Sequence, residues 1–107
     1  MANIPQLTPA EARDLLASRK DAVLLDVREQ WEYDYSHVDG SVLIPMGELP
    51  GRLAELNQND TLVVLCHHGN RSQQVAMWLQ SRGYTVNNVM GGIQAWADTI
   101  DPDLPQY

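Results

Sequence analysis

Continuous apolar runs alternate along this chain with stretches whose apolar residues recur at helical spacing. Ala22-Val23-Leu24-Leu25 is one such run, ending at Asp26, and Val42-Leu43-Ile44 is a second, stopped by Pro45. Leu62-Val63-Val64-Leu65 is the most apolar, and Val86 to Met90 reads as a last strand. Thr8-Pro9-Ala10-Glu11 reads as a helix start, with Thr8 as cap, Pro9 at the first helical position and Glu11 reaching back as in a capping box. Ala12, Leu15 and Leu16 carry the apolar stripe onward. Short helices are expected over Glu29 to Ser36 and over Glu48 to Leu56, where Gly51 weakens the pattern. The clearest helix runs from Ser72 to Arg82, with Val75, Trp78 and Leu79 inward and Gly83 as its C-terminal cap. Gly91-Gly92 reads as a turn before a final short helix, Ile93 to Ala97, and Asp98 to Tyr107 as a tail extended over the surface.

Helices and strands thus alternate, and the strands are apolar throughout rather than at every second position. That combination predicts an α/β fold, a mostly parallel sheet covered by helices on both faces. With 107 residues, the chain is expected to form one domain spanning 1–107. No apolar stretch approaches the roughly 20 residues needed to span a bilayer. The first residues lack the basic start and apolar core of a secretory signal. The net charge of −7, from 14 acidic and 7 basic residues, argues against nucleic-acid or anionic-membrane partners. The single cysteine can form no intrachain disulfide, and a reactive thiol suits a reducing compartment, so a cytoplasmic location is expected.

That cysteine, Cys66, follows the most apolar strand and opens the run Cys66-His67-His68-Gly69-Asn70-Arg71-Ser72, after which the clearest helix begins. In parallel sheets ligands bind beyond the carboxyl ends of strands, and Cys66 lies at such an end. Loop N–H groups converging on the sulfur, the positive end of the helix and the charge of Arg71 would each favour a thiolate. A thiolate is a nucleophile, so Cys66 is a candidate catalytic residue. Four residues separate Cys66 from Arg71. A loop this short can curl around the sulfur, helped by Gly69, and offer N–H donors and a guanidinium to a bound anion. The chemistry that fits is attack by sulfur, forming a covalent intermediate that is then handed on.

Four segments together resemble the single-domain rhodaneses, a sulfurtransferase family. They are Leu25-Asp26-Val27-Arg28-Glu29; Ser36-His37-Val38-Asp39-Gly40-Ser41 with Ile44-Pro45; the loop Cys66 to Ser72; and Gly91-Gly92-Ile93-Gln94-Ala95-Trp96. The resemblance implies a rhodanese-like fold with a central sheet of about five strands. It also implies that Cys66 takes a sulfane sulfur from thiosulfate or a persulfide and passes it to a thiol, to cyanide or to a sulfur-relay protein. His67, His68, Gly69, Asn70, Arg71 and Ser72 would line the anion site, with no metal or organic cofactor. Thiosulfate-using members often carry Arg or Lys where this loop has His67 and His68. Histidine on its ordinary value is mostly neutral at pH 7, which weakens capture of a dianion.

Other readings accompany these residues. Cys66 could be a buried structural cysteine, and Arg71 could pair with a nearby carboxylate. One cysteine with adjacent histidines does not make zinc-ligand spacing. Asp26 and Arg28 are expected to support the site, Asp26 by accepting loop N–H groups and Arg28 by pairing with a carboxylate. His37 reads as a turn or packing residue, and Trp31, Trp78 and Trp96 as core or half-buried anchors. A phosphatase or arsenate reductase on a related fold would need one more residue between cysteine and arginine. A non-catalytic binding module would not need the cysteine.

Overall fold

A computed structural model describes residues 3–107. Five strands form one sheet: β1 (Gln6–Leu7), β2 (Ala22–Asp26), β3 (Val42–Leu43), β4 (Thr61–Leu65) and β5 (Thr85–Val89). Their order is β1-β5-β4-β2-β3, and every neighbouring pair is parallel. The helices are α1 (Pro9–Ser18), α2 (Gln30–Tyr35), α3 (Asn70–Ser81) and α4 (Gly92–Thr99), with a 3₁₀ segment over Met46–Glu55. No described helix is long and apolar enough to cross a membrane.

The parallel sheet follows from strands buried on both faces. Side chains alternate across each strand, so β2 and β4 feed two cores. Leu25, Leu62 and Val64 pack with Val75, Ala76 and Leu79 of α3 on one face. Leu24, Val63 and Leu65 pack with Ala12 of α1 and with Ile93 and Trp96 of α4 on the other. Register pairs Leu24 with Val63 and Asp26 with Leu65, which brings the ends of β2 and β4 level. Both strands stop at the same edge, where Arg28 and Cys66 emerge.

The expected capping box is present: Glu11 N–H donates to Thr8 Oγ1 at 3.1 Å, and Thr8 N–H donates to Glu11 Oε1 at 2.8 Å. Four expectations need correction. The helix expected over Glu48 to Leu56 is a 3₁₀ segment, because Pro50 inside it lacks an N–H and disfavours the wider α turn. The tail expected to be extended from Asp98 begins helically, since α4 continues to Thr99 and Pro102 is the first residue that opposes it. Beyond α4, Ile100 and Leu104 pack onto the second core and Tyr107 returns to the sheet edge. Trp31 is 62% exposed and anchors no core; its ring meets Tyr107 edge-on at 5.5 Å. Asp26 accepts one loop amide rather than several, the Arg28 N–H at 3.0 Å, and its remaining bonds come from the Arg28 guanidinium, which pairs with it as expected. Trp78 and Trp96 do pack against the two cores.

Candidate active site

Cys66 leaves β4 and its side chain is almost fully covered, 1% exposed, yet it lines a cavity of about 260 Å³ with His67, His68, Asn70 and Arg71. Gly69 donates its N–H to Cys66 Sγ at 3.1 Å. Its φ of 101° is left-handed, and an added Cβ would meet Gly91 N at 3.2 Å and Val89 O at 3.3 Å. Glycine is needed there to turn the chain from the sulfur into α3.

The outside of the loop is fixed by the first turn of α4. Ile93 N–H donates to Cys66 O at 2.8 Å, and Gln94 N–H donates to His67 O at 3.1 Å. In a trans peptide the N–H points opposite to the carbonyl, so the amides of His67 and His68 turn away from α4. Gly92 allows this docking, because a Cβ on it would collide with the carbonyl oxygens of Cys66 and His67.

Beneath the sulfur lies a buried polar chain. Ser72 Oγ is 3.2 Å from Cys66 Sγ and donates to Asn88 Oδ1 on β5. Asn88 Nδ2 donates in turn to Gln6 Oε1 at 2.9 Å and to Gly69 O at 3.3 Å.

Arg71 does not lie free over the sulfur. Its two terminal nitrogens donate to Glu32 on α2, to Oε1 at 2.7 Å and to Oε2 at 2.9 Å. Glu32 Oε1 also accepts the Glu29 N–H at 2.8 Å, and Oε2 accepts the Tyr107 hydroxyl at 2.7 Å. Burial pushes the Glu32 carboxyl up, but the bonds from Arg71, Glu29 and Tyr107 outweigh it and hold it down at about 2. The same carboxylate raises the Arg71 guanidinium above its ordinary value. Tyr107 is pushed up to about 12, first by burial and then by Glu32. Its ring stacks on His67 at 4.1 Å, and His67 stacks on His68 at 3.9 Å. Burial, and then the neighbouring His68, lower the His67 imidazole, which keeps it neutral at pH 7.

Residues 8–99 match the model of the rhodanese-like domain. The chain belongs to that family. A Bacillus subtilis protein provisionally named a sulfur carrier, YrkF, is 36% identical over 96 residues, which is 89% of this chain and 52% of that protein. The chain spans about half of YrkF and a smaller share of other curated relatives. Among solved structures, a rhodanese-like domain protein from Staphylococcus aureus superposes with a TM-score of 0.83 at 30% identity, covering 97% of this chain and 99% of that one. The human single-domain sulfurtransferase TSTD1 superposes with a TM-score of 0.79 at 28% identity, covering 91% and 98%. The fold is therefore rhodanese-like.

Within this rhodanese-like frame, the residues from Cys66 to Ser72 come together around one sulfur. Asp26 and Arg28 stand apart from the cavity wall. Arg28 is fully buried and bonds Asp26, Ser36 O and the Tyr107 hydroxyl, so it ties α2 and the tail to the end of β2. Glu32, Asn88 and Tyr107 were not among the residues that sequence patterns single out. Asn88 left one trace, as a polar residue within the run from Val86 to Met90. Glu32 and Tyr107 left none, since their partners lie 39 and 75 positions away.

Proposed function

We propose that this chain is a sulfurtransferase that carries a sulfane sulfur as a persulfide on Cys66. The observation that carries this reading is a lone cysteine at the floor of a cavity, beyond the carboxyl end of a central parallel strand, with a loop N–H donating to its sulfur. The sulfur-carrier and sulfurtransferase names among its relatives support it.

In the first step the Cys66 thiolate attacks the outer sulfur of the donor, thiosulfate or a persulfide. The donor's S–S bond breaks, its electron pair leaves with sulfite or with a thiolate, and Cys66 holds the transferred sulfur. In the second step an acceptor thiolate or cyanide attacks that outer sulfur, and the pair returns to Cys66. The acceptor is a small thiol or a cysteine of a sulfur-relay protein. Charge on the terminal sulfur is held by the Gly69 N–H, the remaining loop amides and the unpartnered N–H groups of the first turn of α3, with His67, His68, Asn70 and Ser72 around them. Arg71 and Glu32 set the field at the mouth. Asp26 and Arg28 keep the neighbouring loop in place.

Intact mass spectrometry after exposure to thiosulfate, and separately to glutathione persulfide, tests this. The expected result is a gain of one sulfur atom, removed by cyanide or dithiothreitol and absent in Cys66→Ala. A chain that gains no sulfur from either donor overturns the proposal.

A further inference from the structure

Arg71 is the one permanent cation on the wall of the Cys66 cavity among the described residues. Both of its terminal nitrogens are committed to the two oxygens of one carboxylate, whose side chain is only 4% exposed. That carboxylate is anchored independently of Arg71, by the Glu29 N–H at the start of α2 and by the Tyr107 hydroxyl. Opening this bidentate, externally braced pair breaks two charge-assisted bonds and leaves the covered Glu32 carboxylate without its countercharge, although Arg71 itself is partly open to solvent. Tyr107 and His67 at the mouth add no positive charge: Tyr107 holds its proton and the His67 imidazole, lowered by burial, is neutral at pH 7.

Donors differ in the charge they bring. With thiosulfate, thiolate and dianion meet, the S–S bond breaks, and sulfite departs with the electron pair. Three negative charges occupy the cavity throughout. With a protonated persulfide, R–S–S–H, the same attack breaks the same kind of bond and the pair leaves on R–S⁻. The reacting sulfurs carry one negative charge from start to finish, whatever charge R holds away from the sulfur, and neither reaction draws on an outside oxidant or reductant. A site whose guanidinium is already neutralised can offset the second case with N–H donors alone. It lacks the charge that the first case requires.

We propose that Glu32 is the donor-selecting residue: by holding both terminal nitrogens of Arg71, it directs the Cys66 site to organic persulfides and away from thiosulfate. This rests on the sulfur-transfer reading above and narrows its donor. Glu32 acts through Arg71 and touches no reacting atom, so it is a positioning residue.

The test compares kcat/KM for thiosulfate and for glutathione persulfide in wild type and in Glu32→Gln. Glutamine keeps an oxygen for the Glu29 N–H but releases Arg71 from its ion pair. The thiosulfate-to-persulfide ratio should rise about tenfold in the variant, mainly through a lower KM for thiosulfate, and the gain should shrink as salt screens the freed guanidinium. A ratio that stays the same or falls overturns the proposal. Wild type provides a second reading that no misfolded variant can obscure: kcat/KM should be higher with the persulfide, and equal or better use of thiosulfate overturns the assignment. If neither donor loads wild-type Cys66, the sulfur-transfer reading itself fails. If loading occurs but the ratio does not respond to Glu32, only the donor assignment fails.

Discussion

Ser72 has one hydroxyl proton and two neighbours that can accept it, Cys66 Sγ and Asn88 Oδ1. Asn88 spends its Nδ2 protons on Gln6 and Gly69, so its Oδ1 must accept, and the Ser72 proton points there. Towards the sulfur Ser72 therefore presents a lone pair, which suits a thiol donating its S–H. When Cys66 is ionised or carries a second sulfur, the hydroxyl proton must swing from Asn88 to the sulfur. Ser72→Ala removes that proton and strands Asn88 Oδ1 in a buried place. Chemical denaturation should show a loss of about 1–3 kcal/mol, and sulfur loading of Cys66 should slow. Ser72→Thr, which keeps the hydroxyl, should recover most of both. An alanine variant as stable and as fast as wild type would mean that the hydroxyl does no work. Sequence alone pointed to the Cys66 to Ser72 loop because its residues are contiguous and their types carry their chemistry. It could not show that Arg71 turns to Glu32, since a guanidinium names no partner until the fold brings one near.

At the level of elements, the loop's shape is imposed from outside by α4. The N–H groups of Ile93 and Gln94 in its first turn, which have no partner within the helix, take the carbonyls of Cys66 and His67. Only glycine at position 92 admits that approach, at a φ of 61° that side chains rarely adopt. Gly92→Ala should cost about 3 kcal/mol or more in unfolding free energy and lower sulfur loading even in the fraction that folds. Gly51→Ala, where an added Cβ meets open space, should stay within about 0.5 kcal/mol of wild type. Equal stability of the two variants would show that α4 does not shape the loop. The turn at Gly91-Gly92 was readable from the glycine pair, while the close approach of Gly92 to the loop carbonyls emerges only in the fold. β1 was not, because two residues at a sheet edge, Gln6 and Leu7, carry no periodicity of their own. The 3₁₀ form of Met46–Glu55 had a visible cause in Pro50, but apolar spacing alone does not distinguish it from a short α-helix.

Across the whole molecule, Glu32 joins α2 to α3 through Arg71 and to the tail through Tyr107, so its charge state reports on more than the site. Its carboxyl titrates near 4.5 when free and at about 2 in the folded chain. A depressed folded value means that the native state holds fewer protons, so the contribution is fully present above about pH 4.5. It is lost as pH falls from there to about 2. The size of that contribution, with Arg71 partly open to solvent, is of the order of 2 kcal/mol. Overall charge works in the opposite direction. At −7 the chain repels itself at neutral pH, and protonating its exposed carboxylates relieves that repulsion as acid is added. The unfolding free energy of wild type alone therefore mixes the two effects. Its difference from Glu32→Gln separates them, because both chains share the exposed carboxylates while only one has a titrating group at position 32. That difference should be largest above pH 5 and shrink steadily towards pH 2. A difference that does not vary with pH over that interval would mean that Arg71 is not held by an ionised Glu32.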